Sequence, residues 1–168
     1  MKKVSLIVLG LLFMSCTTQA QSQDYRFHSI FMFNFTKYIQ WPEDSKTGDF
    51  VIGIIGNSAI TIELEKLANS KTVGTQKIVI KKIKSAGEAE KCQIVFIPQN
   101  ESKDFEALQQ SLKNKPVLII TEKDGLVKKG SAINFVLQEG KMRFEMNLSA
   151  TQSAGLKVSS QLTSLAIL

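Results

Sequence analysis

Two side chains of this sequence are suited to acid–base or nucleophilic chemistry. His28 is the only histidine, and Cys92 is the only cysteine after residue 20. A catalytic Cys–His pair needs hydrogen-bond contact and a third group that orients the imidazole. His28 stands beside Phe27 at the expected exposed end of a helix, whereas Cys92 directly precedes an apolar run. We therefore expect His28 to be a surface or helix-end residue and Cys92 a buried structural thiol, with a reactive or intermolecular thiol as the alternative.

Metal and carboxylate chemistry are weakly indicated. A zinc site would need His28, Cys92 and carboxylates to converge, and the close ligand spacing of such sites is missing. The acidic residues stand mostly in lysine-flanked segments such as 88–91 and 122–124, which are typical of solvated surfaces. General acid–base catalysis needs two carboxyl groups in one cleft with separated pKa values, and the spacing does not indicate this. We expect no catalytic residue, no metal and no cofactor.

One turn is a candidate ligand site. Gly56-Asn57-Ser58 joins an apolar run that we interpret as a strand to a predicted helix. The free N–H groups of a helix N-terminus can bind anions. The turn has neither G-x-G-x-x-G nor Gly-Lys-Ser/Thr, so it lacks the established phosphate-binding patterns. A simple capped turn is the favoured interpretation, and a small anion or ligand site is the alternative.

The first twenty residues have the order of a secretory signal peptide. Lys2 and Lys3 precede an apolar run from Val4 to Met14, and Thr18 and Ala20 fit a signal peptidase site. The run is too short to span a bilayer. We therefore predict a signal peptide at 1–20, cleavage after Ala20 and export to the periplasm.

Processing at Cys16 is the alternative, because residues 12–16 loosely resemble a lipoprotein signal. Lipidation there would tether the protein to a membrane, whereas cleavage after residue 20 frees it. No later segment is apolar and long enough to cross a membrane.

Residues 21–168 have the size of a single α/β domain and contain no repeat or linker. Loss of Lys2 and Lys3 with the signal peptide lowers the net charge from +6 to +4. The remaining lysines are scattered, whereas nucleic-acid proteins form a basic stripe interleaved with aromatic residues. Nucleic acid is therefore not an expected partner.

Apolar periodicity predicts alternating helices and strands. Helices are expected at 24–40, 59–68, 86–90 and 103–113, and strands at 50–55, 77–83, 94–97 and 117–121. This alternation implies a mostly parallel sheet covered on both faces. A hairpin turning at Glu139-Gly140 follows, and then a closing helix between 149 and 168. The predicted fold class is α/β, a three-layer sandwich with a mostly parallel sheet plus a C-terminal β-hairpin and closing helix.

Polar residues in the aromatic-rich first helix suggest a structural polar network. Asn34 and Lys37 interrupt an otherwise apolar helix, and buried polar groups need partners. The last strand of the hairpin presents Arg143, Glu145 and Asn147 in one row. We hypothesise that Lys37 pairs with Glu145 and that Asn34 joins Asn147, with solvated surface rows as the alternative.

Three blocks of the sequence resemble a known family. The first block has the pattern aromatic-Asn-Phe-x-Lys-aromatic-x-x-Trp-Pro, the second is a central strand, and the third is C-terminal. They are Phe31–Pro42, Cys92–Ile97, and Arg143–Asn147 followed by Ala154–Ser160 and Leu165-Ala166. Together, and in this order, they resemble the YfiR family of exported bacterial proteins over almost all of residues 21–168.

The resemblance implies regulation. The family's namesake is a periplasmic repressor of an inner-membrane diguanylate cyclase; it controls cyclic-di-GMP and biofilm formation and is itself controlled by an outer-membrane lipoprotein. That member carries disulfides, and this chain has no internal disulfide to form once Cys16 is lost.

Three functions follow as hypotheses. The first is a regulator that binds a membrane-bound signalling protein, with Tyr38, Trp41 and the loop at 44–49 as partner contacts. The second is a periplasmic small-ligand binding module that uses the turn at Gly56-Asn57-Ser58. An enzyme ranks last because the catalytic residue types are missing, and a homodimer is left open.

Overall fold

A computed structural model of the protein describes residues 24–168. The predicted signal peptide at 1–20, Cys16 and the boundary between residues 20 and 21 lie outside the described residues. The division into a signal peptide and one domain therefore stays a prediction. Within residues 24–168, no helix has the length and hydropathy that crossing a bilayer requires.

Six helices and nine strands make up this part of the chain. The helices are α1 Tyr25–Tyr38, α2 Ile60–Ala68, α3 Ala86–Ala89, α4 Phe105–Ser111, α5 Leu148–Ser153 and α6 Ser160–Leu165. The strands are β1 Ile39–Gln40, β2 Phe50–Ile55, β3 Thr72–Val73, β4 Gln76–Ile83, β5 Ile94–Ile97, β6 Leu118–Thr121, β7 Ile133–Gln138, β8 Lys141–Met146 and β9 Lys157–Val158. Two short 3-10 helices lie at Glu43–Lys46 and Gln99–Asp104.

Seven strands form one sheet in the order β3-β4-β2-β5-β6-β7-β8. Strands β4, β2, β5, β6 and β7 are parallel, and β3 and β8 are antiparallel to their neighbours. The apolar side chains of α1, α2 and α6 join the core on one face of the sheet. Those of α3 and α4 join the core on the other face. The three-layer α/β sandwich with a C-terminal hairpin is confirmed.

The hairpin turn has the backbone that its sequence predicts. Glu139 and Gly140 have φ of 52° and 72°, so both central residues of the turn are left-handed. This is the requirement of the type I′ turn, whose twist matches that of the two strands. The pairing of Phe135 with Phe144 then places two large aromatic rings side by side beneath α1.

Helix α1 ends earlier than its periodicity predicts. Its last residue is Tyr38, and Ile39 is already extended because it pairs with Val158 of β9. The chain therefore leaves the helix before Pro42, and a strand pair takes the place of the last helical turn.

The closing helix is interrupted. Helix α5 ends at Ser153, and Gly155 follows with φ of 69°, a left-handed conformation common just past a helix end. Strand β9 comes next, and α6 begins only at Ser160, with the Ser159 hydroxyl as its N-cap. The C-terminal segment is thus two short helices on either side of β9.

Candidate functional site

Four residues meet at the carboxyl ends of β5 and β6, where open α/β sheets commonly bind ligands. The Tyr25 hydroxyl donates a hydrogen bond to Glu122 Oε1 at 3.0 Å. The backbone N–H of Gln99 donates to the same oxygen at 3.0 Å. His28 Nε2 lies 3.6 Å from Glu122 Oε2. We call Tyr25, His28, Gln99 and Glu122 the carboxyl-edge cluster.

The prediction of a surface histidine is wrong. His28 is 0% exposed, and its ring lies 4.6 Å from that of Phe135 and 4.9 Å from that of Tyr25, between centroids. The first turns of α1 cover the carboxyl edge of the sheet, so the helix face that carries His28 points towards the strands. Phe27 and Ile30, which periodicity places on the apolar face, are 56% and 51% exposed instead.

Glu122 was also missed, because it was assigned to a lysine-flanked surface segment. Its side chain is only 3% exposed. The signal that could have found it is its position directly after the buried apolar strand β6. Residues that follow parallel strands gather at one edge of the sheet, and such positions commonly face a site.

Burial sets the protonation states of the cluster. Burial lowers the pKa of His28 to about 4, although a hydrogen bond with the Asp24 backbone acts in the opposite direction. Burial also raises the pKa of Tyr25 to about 12, while a hydrogen bond with the Ser58 side chain opposes the rise. The imidazole is therefore neutral and the phenol protonated near pH 7. Neither group has the pKa near the working pH that suits general acid–base catalysis.

The turn Gly56-Asn57-Ser58 connects β2 to α2, and neighbouring side chains contact it. Gly56 has φ of 66°, and a Cβ at this position would collide with the Glu101 carboxyl group. Lys82 donates a hydrogen bond to the Asn57 side chain. The Ser58 hydroxyl accepts one from the N–H of Ile60 at 3.3 Å. The N-cap of α2 is Ala59, which has no side-chain capping bond, so the turn makes local hydrogen bonds just before the helix. Its use as a ligand site stays a prediction.

The predicted pairs of the polar network are wrong. Lys37 Nζ donates to Asn34 Oδ1 at 3.1 Å on the surface of α1, and Glu145 accepts from Asn134 Nδ2 at 3.1 Å. Phe144 faces α1, with its ring 5.1 Å from that of Phe35. Successive strand residues point to opposite faces, so Glu145 points away from α1.

Asn147 and Arg143 also differ from the hypothesis. Asn147 caps α5, because its Oδ1 accepts from the N–H of Ala150 at 2.9 Å. Its Nδ2 donates to the Val127 carbonyl at 3.0 Å, so it has no bond to Asn34. Arg143 is exposed on β8. These residues therefore act separately rather than as one network.

A different polar network is buried on the face of the sheet opposite α1. Thr121 Oγ1 lies 2.7 Å from Asn134 Oδ1 and 2.9 Å from Ser131 Oγ. Asn134 extends the network to Glu145, and Thr121, Ser131 and Asn134 are all 0% exposed. Register pairs Thr121 with Asn134 and Asn134 with Glu145, so one polar row crosses β6, β7 and β8.

The two predicted partner contacts differ in exposure. Trp41 is 7% exposed; its ring packs at a right angle on Phe50, and its Nε1 donates to the Gln93 carbonyl at 3.1 Å. Tyr38 is half-buried. Trp41 thus contributes to the core, and a partner contact through Tyr38 or Trp41 stays a prediction.

Two of the clefts formed by residues 24–168 lie elsewhere. The amino-edge cleft, about 260 Å³, lies between the end of α1, the 3-10 helix at Glu43–Lys46 and the β3–β4 turn. The α4–α5 cleft, about 370 Å³, lies between those two helices. Neither cleft is lined by the turn at 56–58.

The remaining thiol is shielded from solvent. Cys92 is 3% exposed, and burial raises its pKa to about 11, so it is neither a nucleophile nor a ready metal ligand at neutral pH. Within residues 24–168, no group of three His, Cys, Asp or Glu side chains is placed to hold a metal ion.

The sequence profile of YfiR/HmsC-like proteins matches residues 25–167. The chain belongs to the YfiR/HmsC-like family. The match covers the whole sheet, both helical layers and the carboxyl-edge cluster of this YfiR/HmsC-like protein. A comparison with curated proteins finds no match. The resemblance carried by the opening, central and C-terminal blocks is thus confirmed. The opening block spans parts of α1 and β1, the central block includes β5, and the C-terminal block includes parts of β8, β9 and α6.

Proposed function

We propose that this YfiR/HmsC-like protein is a periplasmic regulator that binds and represses a membrane-bound signalling protein, in the first instance a diguanylate cyclase. The family match over residues 25–167 carries the proposal. The signal peptide predicted at 1–20 supports the location.

Such a regulator acts stoichiometrically. It binds one conformation of its partner more tightly than the other and shifts the partner's equilibrium by that difference in affinity. A hundredfold preference corresponds to about 2.7 kcal/mol, which is enough to turn an evenly balanced partner almost fully off. Trp41 and two residues of the loop at 44–49, Ser45 and Lys46, line the amino-edge cleft, so this end of the molecule is one proposed contact.

Gene deletion with complementation tests the proposal. Loss of the gene is expected to raise cellular cyclic-di-GMP and biofilm formation, and the full chain is expected to reverse both. A chain without residues 1–20 serves as the control, because it keeps the domain and loses the predicted export signal. Crosslinked capture from the native envelope should recover a membrane diguanylate cyclase. Unchanged cyclic-di-GMP together with no membrane signalling protein in the capture would contradict the function.

Small-ligand binding is a second candidate, and the α4–α5 cleft favours it. Its volume of about 370 Å³ lies within the range of small-molecule sites. Buried apolar side chains line it together with amide and hydroxyl groups and one cation, Lys113, which suits a polar ligand such as a saccharide. Replacing Ala154 with Trp should fill the cleft and abolish binding of a saccharide found by screening the purified domain. Unchanged binding by the variant would place the ligand elsewhere.

A further inference from the structure

The exposed large hydrophobic side chains are unevenly distributed. Six are found in residues 24–168, and they lie on α1, α2, α6, the end of β7 that shares the α1 face, and the C-terminal residue. They are Phe27, Ile30, Ile62, Leu137, Leu165 and Leu168. Helices α3 and α4 on the opposite layer expose none. Scattered single apolar residues on a surface are ordinary, whereas a concentration on one side marks an interaction surface.

Helices α1 and α6 lie side by side along the β8 edge of the sheet. The N–H of Ser159 donates to the Tyr38 carbonyl at 2.9 Å, and that of Ile167 donates to the Phe144 carbonyl at 3.0 Å. Phe144 in turn contacts Phe31 of α1, with ring centroids 5.9 Å apart. Helices α1 and α6 are therefore neighbours on this side of the sheet. We call Phe27, Ile30, Phe31, Tyr38, Leu165 and Leu168 the α1–α6 surface. Ile62 of α2 and Leu137 of β7 belong to other elements and are not part of it.

This surface has no exposed charged side chain at its centre. Residues 27–36 contain one ionisable side chain, His28, which is buried, and residues 158–168 contain no Asp, Glu, Lys, Arg or His. In the whole chain 21% of residues are charged. Depletion of charge with retention of aromatic and aliphatic side chains is typical of the centre of a protein–protein interface.

The rim of the surface is basic. Lys37 stands at the end of α1, and Lys157 stands in β9, paired in register with Gln40. Both are exposed, and neither forms a salt bridge among residues 24–168. An occupant with an apolar centre and an acidic rim complements this pattern. A second copy would instead bring the same lysines near each other, and like charges disfavour association.

We propose that the α1–α6 surface binds an apolar, acid-rimmed segment in the periplasmic part of the membrane-bound signalling protein. This inference rests on the proposed function and adds the surface and the chemistry of its partner. The centre supplies the apolar contact, and Lys37 and Lys157 orient the partner through its acidic rim.

Photo-crosslinking from chosen positions tests the surface in the native envelope. A photoreactive phenylalanine analogue at Ile30 or Leu165 should give an adduct with the membrane protein, and the same analogue at Gln110 of α4 should not. Adducts from Ile30 and Leu165 only with a second copy, or only with lipid, would overturn the proposed partner. Adducts with the membrane protein from Gln110 alone would overturn the surface and leave the proposed function standing. No protein adduct from any position would count against both.

Affinity measurements provide a matched comparison. Leu165 and Ile62 are 59% and 58% exposed, so an aspartate at either position should leave the fold intact. We expect Leu165→Asp to weaken binding of the purified periplasmic segment of the crosslinked protein by about tenfold or more. Ile62→Asp on α2 should change it by less than about twofold. Equal affinities for the two variants, with unchanged circular dichroism, would exclude the α1–α6 surface as the docking site.

Discussion

Tyr25 and Glu122, which are 97 residues apart in the chain, share a 3.0 Å hydrogen bond that fastens the first turn of α1 to the end of β6. The same carboxyl oxygen accepts the backbone N–H of Gln99. Three separate segments thus meet on one buried side chain. The carboxyl-edge cluster is therefore first of all a structural joint between the opening helix and the sheet.

Removal of the phenol should loosen this joint. Tyr25→Phe keeps the ring and removes the donor, which leaves a buried oxygen of Glu122 with one hydrogen bond fewer. We expect the free energy of unfolding to fall by about 1–2 kcal/mol. Urea denaturation measures it. Tyr38→Phe is the control, because its hydroxyl has no hydrogen bond within residues 24–168, and an equal loss in both variants would exclude a specific role for the bond.

The stability of the fold should fall as the pH drops from 6.5 towards 4. The folded protein keeps His28 neutral with a pKa of about 4, whereas the unfolded chain binds its proton near the ordinary value of 6.5. The stabilisation that comes from the lowered pKa of His28 is thus complete above pH 6.5. It is lost as the pH falls from 6.5 to 4, and the unfolding free energy decreases by up to about 3 kcal/mol. Attraction between protonated His28 and the nearby Glu122 reduces the loss.

His28 can be followed directly, because it is the only histidine of the chain. In an untagged protein, its imidazole signals in NMR should titrate near pH 4 and stay unchanged between pH 6 and 8. His28→Gln should show a flatter dependence of unfolding free energy on pH. A midpoint near 6.5 in the folded protein would contradict the buried, neutral imidazole.

The buried row of polar residues should be sensitive to the loss of its central member. Asn134→Ala removes the partner of both Thr121 and Glu145, so we expect a loss of about 2–3 kcal/mol in unfolding free energy. Asn34→Ala is the matched control on the surface of α1, with an expected change below about 0.5 kcal/mol. Thermal or urea unfolding distinguishes the two, and similar stabilities would show that the row contributes little.

Cys92 should be unreactive in the folded protein. Its thiol is 3% exposed and has a raised pKa of about 11, so the thiolate is scarce and inaccessible at pH 8. In protein that begins at residue 21, we expect a thiol reagent to label it only in denaturant. Labelling at the same rate without denaturant would indicate that the strand β5 region opens readily.

Periodicity predicts the layers of this fold well but misassigns the two faces of α1. Helical periodicity of the apolar residues places Phe27 and Ile30 on the buried face of α1. Both are about half exposed, whereas His28 and Ser29 are buried. The first helix has apolar side chains on almost every face, so its pattern alone does not select the face that packs on the sheet. The contacts with Phe135 and Phe144 make that choice, and both come from the hairpin near the other end of the chain.

The carboxyl-edge cluster is not predicted from the sequence for a related reason. Glu122 has lysine neighbours in sequence and looks like a surface residue, but the position of β6 in the parallel sheet turns it inward. The predicted Lys37–Glu145 pair is wrong because it places Glu145 on the wrong face of β8. Phe144, the residue before it, faces α1 instead. Sequence alternation predicts that the two residues point to opposite faces without telling which face the helix covers.

The contact of α1 with β7 and β8 also fixes the order in which the protein can be completed. A chain that emerges from its N-terminus presents the aromatic residues of α1 first and the two strands that cover them last. Until Phe135 and Phe144 arrive, Phe35 lacks both aromatic rings that it contacts in the folded protein, so this face of α1 stays prone to association with other apolar chains. Helix α1 can pack on α2 earlier, but this face is covered only when nearly the entire polypeptide is present.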